Sequence, residues 1–447
     1  MRAAKLAIAI AVALFITTGA RAEDRFEKTF SRSLTYRGGR VTVENRFGAL
    51  NVRAGSGNTV TVRATIRSSD AEIGRSINIE TSDGGAGGIS IKTVVPTISL
   101  HHGSLSFSID VDAVVPAEAP LLLSNHFGSI DATGLRAPSE LVNRQGSIAL
   151  HDSSGNQRLE NSFGSITIDR AAGNVDAKNT NGSITATRID GKLAASNRFG
   201  SVNVTGVKSD LAVSNANGSV EVHDVGGDAA IVNGFGTTRF SKIGRNLTLA
   251  SNNGRVEGQG VGGTAIVSGS FDSIELKDIG GATRISNGNG AVTVTDVRGN
   301  LSVETRFAPV RADRIRGSLT VTNANGSVTA ADIAGDAKVR ASFGSVFLKG
   351  IDGAVDVRNQ NASISVAGLR GSCNAVTLHT TFASIKVAVP RNQGYTVEAR
   401  TTFGSINAEL PINVTRRSDQ ALTGTINGGG CRMELVNANG GVTITGE

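Results

Sequence analysis

The sequence predicts an all-β protein, a parallel β-solenoid (β-helix) built from 18-residue repeats with a 36-residue super-period. Three observations predict it. Glycine or a substitute stands at 128, 146, 164, 182, 200, 218, 236, 254, 272, 290, 308, 326, 344 and 362, at a constant 18-residue interval. Connections between independent elements vary in length, so this constancy makes each repeat one structural rung. Residues within each repeat alternate in polarity as two short strands do. The composition, with 56 Gly and 16 Phe but 7 Pro, 2 Tyr and no Trp in 447 residues, excludes collagen, and the abundance of Val, Ile and Leu excludes a disordered linker.

Residues 1–22 read as a secretory signal peptide. Arg2 and Lys5 are basic, an apolar run extends from Leu6 to about Ile16, and Ala20-Arg21-Ala22 precedes Glu23. The run is about half of the roughly 20 residues that cross a bilayer, so no transmembrane span is expected after cleavage; the alternative is an uncleaved N-terminal anchor. Without Arg2, Lys5 and Arg21 the formal charge of +7 falls to about +4. The remaining cations, among them Arg144, Arg188, Arg198 and Arg284, are scattered, and export and scatter together argue against a nucleic-acid partner.

Residues 23–124 contain strand-like stretches, such as Arg40-Val41-Thr42-Val43-Glu44 and Thr59-Val60-Thr61-Val62-Arg63, off the 18-residue beat. Asn45-Arg46-Phe47-Gly48 shows the repeat motif once. Irregular N-terminal coils are expected here, capping the unpaired strand edges at the open end of a solenoid.

Residues 125–370 form the regular repeats. Two residues after the motif glycine comes an aliphatic column (Ile130, Ile148, Ile166, Ile184, Val202, Val220), with Thr238 as an exception. A second column runs through Ile189, Val207, Val225 and Ile243, and a third through Val213, Ile231, Leu249 and Val267. All three suit a continuous core. The corner glycines Gly128, Gly146, Gly164, Gly182, Gly200, Gly218, Gly236, Gly254, Gly290, Gly326 and Gly344 sit where the inward-facing set changes phase, and glycine takes left-handed or mirror-β angles at little cost. Asp272 can occupy such a position, whereas Ala308, Ala362 and Ala383 imply reshaped corners.

Three residues before that glycine lies an asparagine column: Asn125, Asn143, Asn161, Asn179, Asn197, Asn215, Asn233, Asn287, Asn323 and Asn359. Stacked amides that hydrogen-bond from rung to rung would satisfy polar groups at a buried turn; independent turn asparagines are the alternative. The residue before the glycine alternates between Phe (127, 163, 199, 235, 271, 307, 343) and Gln145 or Asn (181, 217, 253, 289, 325, 361), which doubles the period to 36. Either each coil is a single 18-residue repeat and the alternation runs along the stack, or each is a 36-residue pair with Phe and Asn on separate corners. The repeat region is then roughly 85 Å long, or half that. These phenylalanines are expected to pack in the core or at its corners.

Residues 371–447 loosen into irregular C-terminal coils before the motif returns at Asn437-Ala438-Asn439-Gly440. The two cysteines, Cys373 and Cys431, are compatible with one disulfide in an oxidising compartment. Rungs about 4.8 Å apart and a limit near 7 Å between bridged Cα atoms mean that pairing needs an irregular C-terminal coil.

Chemistry is sparsely represented. The six histidines, His101, His102, His126, His151, His223 and His379, follow no metal-ligand spacing, and the double glycines lack the nonapeptide pattern of calcium β-rolls. Outward acids such as Asp169, Asp176, Glu221, Asp224 and Asp352 form no cluster. No catalytic, cofactor-binding or metal-binding residue is expected, nor any cofactor.

The Gly-Ser-Ile/Val rungs, the Val114-Val115-Pro116 step into the first rung and the closing Asn439-Gly440-Gly441-Val442-Thr443-Ile444 resemble the bacterial putative-adhesin family of β-strand-repeat proteins. The resemblance covers nearly the whole chain after residue 22. It implies a parallel β-solenoid and an exported location (periplasm, cell surface or secreted), and supplies no binding residues. The expected function is that of a non-enzymatic structural or interaction protein, adhesive in character, whose partner is an unknown protein or a cell-surface or glycan ligand. A carbohydrate-active enzyme or carbohydrate-binding protein on the same scaffold is the alternative, as is a periplasmic scaffold that associates end to end.

Overall fold

The structure, a computed structural model, describes residues 26–97, 105–371 and 373–447. The segment expected to be a signal peptide and the pair His101-His102 lie outside these residues. The chain winds as a β-solenoid of about 15 turns, each turn giving one strand to each of two parallel sheets. One sheet takes Ser139–Gln145, Gln157–Phe163, Val175–Asn181 and their successors; the other takes Ile148–Ser153, Ile166–Ala171, Ile184–Ile189 and theirs.

Register settles the coil size. Asn143 faces Asn161, which faces Asn179, and Ile148 faces Ile166, so each coil is a single 18-residue repeat. The 36-residue period is therefore an alternation along the stack: Phe163 lies between Gln145 and Asn181.

The core is a narrow slot between the sheets. Ile166 and Ile168 face it from one sheet and Leu159 from the other, and the same positions are buried through successive coils. Burying an aliphatic side chain stabilises by about 1.5–3 kcal/mol, and stacking makes that gain continuous, because no coil can bury its own inward face alone. Volume is matched between coils. Phe240 takes an inward position, and a Cβ on Gly258, one coil on, would lie 1.9 Å from its ring.

Each coil also carries a bulge that the sequence reading missed. Position 170 is unpaired in the ladder, and its register holds left-handed residues throughout: Asp152, Arg170, Arg188, Asp224, Lys242, Asp278, Asp296, Arg314 and Asp332, with Gly134, Gly206, Gly260, Gly350 and Gly368. The bulge shifts the inward set from Ile168 to Ala171 and so turns the chain towards the next sheet. The five glycines in register are the sequence signal. Charged residues in the other places hid it.

Spatial order departs from chain order at both ends. Strand Arg40–Phe47 pairs with Gly88–Val94 on one side and Leu121–Phe127 on the other, so a coil made early lies inside one made later. At the far end the last coil, Cys431–Asn439 and Val442–Gly446, is inserted between the coil starting at Val376 and the one starting at Tyr395. The motifs at 45–48 and 437–440 are off the beat in sequence and in register in space.

Both ends finish in antiparallel strands. Phe26–Thr35 pairs with Thr59–Ser68, Asn78–Asp83 with Gly88–Val94, and Asn413–Arg417 with Ala421–Ile426. Charged residues on these outer strands, such as Glu27, Lys28, Arg416 and Arg417, blunt the edges that end-to-end association would use.

Candidate functional site

The corner after the first sheet is built in three steps. Inward alternation ends on the asparagine column, where Asn125, Asn143, Asn161, Asn179, Asn197, Asn215, Asn233, Asn287, Asn323 and Asn359 are all buried. The amides do not form the amide-to-amide ladder expected from the sequence. Instead the Nδ2 groups of Asn143, Asn161, Asn179 and Asn197 donate at 2.9–3.0 Å to the carbonyls of Gly128, Gly146, Gly164 and Gly182, the corner residues one coil back. Only Asn215 donates to another amide of the column, that of Asn233, at 3.4 Å. A carbonyl on a tight corner has no ladder partner, which makes it the stronger claimant for a buried donor.

Next comes the corner glycine. From Gly128 to Gly236 this position has φ between +104° and +136°. Gly254, Gly290, Gly326 and Gly344 do not take positive φ, and neither do Asp272, Ala308 and Ala362; Ala383 does, at +77°. The later corners thus depart from the first conformation, and Asp272, Ala308 and Ala362 bear side chains there, whereas a Cβ on Gly290 would still lie 1.9 Å from the Asp272 carbonyl oxygen.

Between asparagine and glycine stands the phenylalanine, and here the expectation of packing in the core or at its corners is corrected: the rings stand at the corner and face solvent. Phe127, Phe163, Phe199, Phe235, Phe271, Phe307, Phe343, Phe382 and Phe403 are exposed, from 43% at Phe127 to 73% at Phe403. The chain turns outward after the buried asparagine, so the next alternate side chain points to solvent. Polar partners at the intervening positions were the available clue, since an inward column would bury every second amide.

Four of the intervening residues lie flat. The Nδ2 groups of Asn181, Asn217, Asn289 and Asn439 donate to the carbonyls of Ser162, Arg198, Ser270 and Thr381, each one residue before a phenylalanine of the line. The rings therefore stand proud at every second coil, about 9.6 Å apart. Crowding does not force this spacing, because Phe47 and Phe127 occupy adjacent coils and stack with centroids 5.2 Å apart. At the C-terminal end, where chain order is broken, the alternation persists in space: Asn439, from the inserted last coil, lies between Phe382 and Phe403.

Other surfaces are ordinary by comparison. Along the bulge column Arg170 pairs with Asp152 and Asp169, Arg314 with Asp296 and Asp313, and Arg370 with Asp332 and Asp352. The Arg170 guanidinium holds the Asp152 carboxyl below the usual range, and Arg314 does the same for Asp296. These groups are open to water, where such pairs contribute little. A groove of 990 Å3 follows the opposite margin of the first sheet, lined by Asn156, Arg158, Asp176, Lys192 and Asp210 among others. No group of three or more His, Cys, Asp or Glu side chains suited to a metal ion occurs among the described residues. No helix among them is long and apolar enough to cross a membrane.

Cys373 and Cys431 form a disulfide with Cα atoms 5.4 Å apart. Insertion of the last coil beside Val376–Phe382 removes the separation that a sequential stack would impose.

No protein-family model matches the chain, and no curated protein does. Among solved structures it is similar to a putative cell adhesion protein from Clostridium sporogenes, at 8% identity over 94% of this chain and 100% of that one, with a TM-score of 0.17. It is also similar to a putative adhesin from Parabacteroides distasonis (16% identity, 66% and 97% covered, TM-score 0.20). A putative lipid binding protein from the same organism gives 12% identity, 74% and 97% coverage and a TM-score of 0.19. Scores at this level carry no argument about what this chain does.

Proposed function

We propose that the chain is an exported, non-enzymatic β-solenoid that serves as an interaction protein of the cell envelope, with the phenylalanine line as its contact surface. The observation that carries this reading is the set of nine exposed rings along one edge. Exposing large apolar side chains in a row gains the fold nothing, and exposed apolar side chains rimmed by polar residues mark interaction sites. The bonded coils hold the rings at fixed intervals, so contacts that are individually weak add along the edge.

The test uses a deletion strain complemented with the parent chain or with F163Q/F199Q/F235Q/F271Q/F307Q. Fractionation is expected to find both proteins outside the cytoplasm in equal amounts. The parent restores attachment and envelope phenotypes and the variant does not. Full restoration by the variant, or retention of the parent in the cytoplasm, defeats the reading.

A further inference from the structure

We propose that the phenylalanine line is a membrane-contact edge, with which the solenoid lies lengthwise on an anionic bilayer surface. This rests on the line being the interaction surface and names its partner. The rings occupy a convex corner and follow one edge for roughly 80 Å from Phe127 to Phe403. A planar partner can meet several of them at once. Each half-exposed ring offers about 100 Å2 of apolar area, so nine offer about 900 Å2 to the boundary between headgroups and acyl chains.

Charge selects among partners. The residues immediately before the line positions include Arg46, His126, Arg144, Arg198 and Arg306, and no acid occupies that column. The column after the corner glycine adds Arg255, which pairs with Glu257 and Glu275, and again contains no acid. Within the corner column itself Asp272 is the one acid. Arg46, Arg144, Arg198 and Arg306 form no ion pair among the described residues, and the Arg198 guanidinium sits 5.2 Å from the Phe199 ring centroid, beside the apolar edge. Each arginine near an anionic leaflet adds roughly fivefold to partitioning.

A second copy of the chain would set these arginines against their like. A glycan strand calls for a concave cleft, and the groove of 990 Å3 lies along the other margin of the sheet. Between the rings Asn181, Asn217 and Asn289 already donate to backbone carbonyls, which lowers the cost of drying the edge there.

The test is co-sedimentation of the chain starting at Glu23, so that residues 1–22 take no part, with vesicles of phosphatidylcholine alone or with roughly one third phosphatidylglycerol. The parent is expected to bind the anionic vesicles, less tightly as salt rises. F163Q/F199Q/F235Q/F271Q/F307Q is expected to bind at least tenfold more weakly. R144Q/R198Q/R306Q, which leaves the rings in place, is expected to lose about tenfold to a hundredfold at low salt. Circular dichroism and the unfolding midpoint report whether each variant is folded, and the arginine variant carries the test if the phenylalanine variant is not. Three results overturn the proposal: a parent that ignores both vesicles, a parent that binds them with arginine-independent affinity, and a parent whose line-dependent partner is a second copy or an acidic polysaccharide instead. A parent that ignores vesicles while the phenylalanine variant still fails to restore attachment removes the membrane and keeps the interaction surface. Parent-like behaviour of that variant in both assays removes both.

Discussion

Asn323→Ala is expected to lower stability by about 3 kcal/mol, while Asn325→Ala, two residues away, changes it by less than about 0.5 kcal/mol. Asn323 is 1% exposed. Its Nδ2 donates to the carbonyl of Ala308 at 3.0 Å and to that of Gly326 at 2.8 Å, and its Oδ1 accepts from the Gly326 N–H at 3.1 Å. Truncation leaves two carbonyls and one N–H in a dry corner, at about 1–3 kcal/mol each where water cannot reach them. Asn325 is exposed and releases no such groups. Within the column the effect is graded: the Oδ1 of Asn215 already lacks a partner, so Asn215→Ala is expected to cost nearer to about 1 kcal/mol. Denaturant midpoints check the ranking, and hydrogen exchange checks that coils next to Asn323 open first, since solenoids lose structure locally.

Gly182→Ala is expected to cost about 3 kcal/mol or more, and Ala308→Gly under about 1 kcal/mol, at equivalent positions of two corners. Gly182 has φ +126°, and a Cβ there would lie 2.3 Å from the carbonyl oxygen of Gly164 and 2.6 Å from its carbon. Neither atom can retreat, because both belong to the coil below. Relief requires the coils to part, which also breaks the bond from Asn197 to the Gly182 carbonyl. Ala308 stands at one of the later corners and bears its methyl without positive φ, so removing that methyl only loosens the chain. Paired denaturation curves decide the matter. Equal losses at the two sites would show that corner geometry is not what the glycine supplies.

The solenoid was legible because its determinants repeat: Ile166, Ile168 and Asn161 recur in kind from one repeat to the next, and stacking multiplies each weak preference. Coil size was not legible, since alternation of Phe163 with Asn181 has the same period whether the two share a coil or adjoin in the stack. Topology at the ends was hidden for a different reason. Parallel strands in register carry no mark of chain order, so Cys431–Asn439 shows its place between Val376–Phe382 and Tyr395–Phe403 only in space. The phenylalanines were misplaced because alternation was carried one residue too far. Inward phase ends at the buried Asn161, and the backbone turns before Phe163.

If the phenylalanine line exists for contact and not for folding, the thermal unfolding midpoint of F163Q/F199Q/F235Q/F271Q/F307Q stays close to that of the parent. Five exposed rings should contribute little packing, so the midpoint is expected to stay within about 3 °C of the parent. A fall of about 10 °C or more, with loss of the β-type circular dichroism spectrum, would mean that the rings hold the coils together and do not serve contact alone.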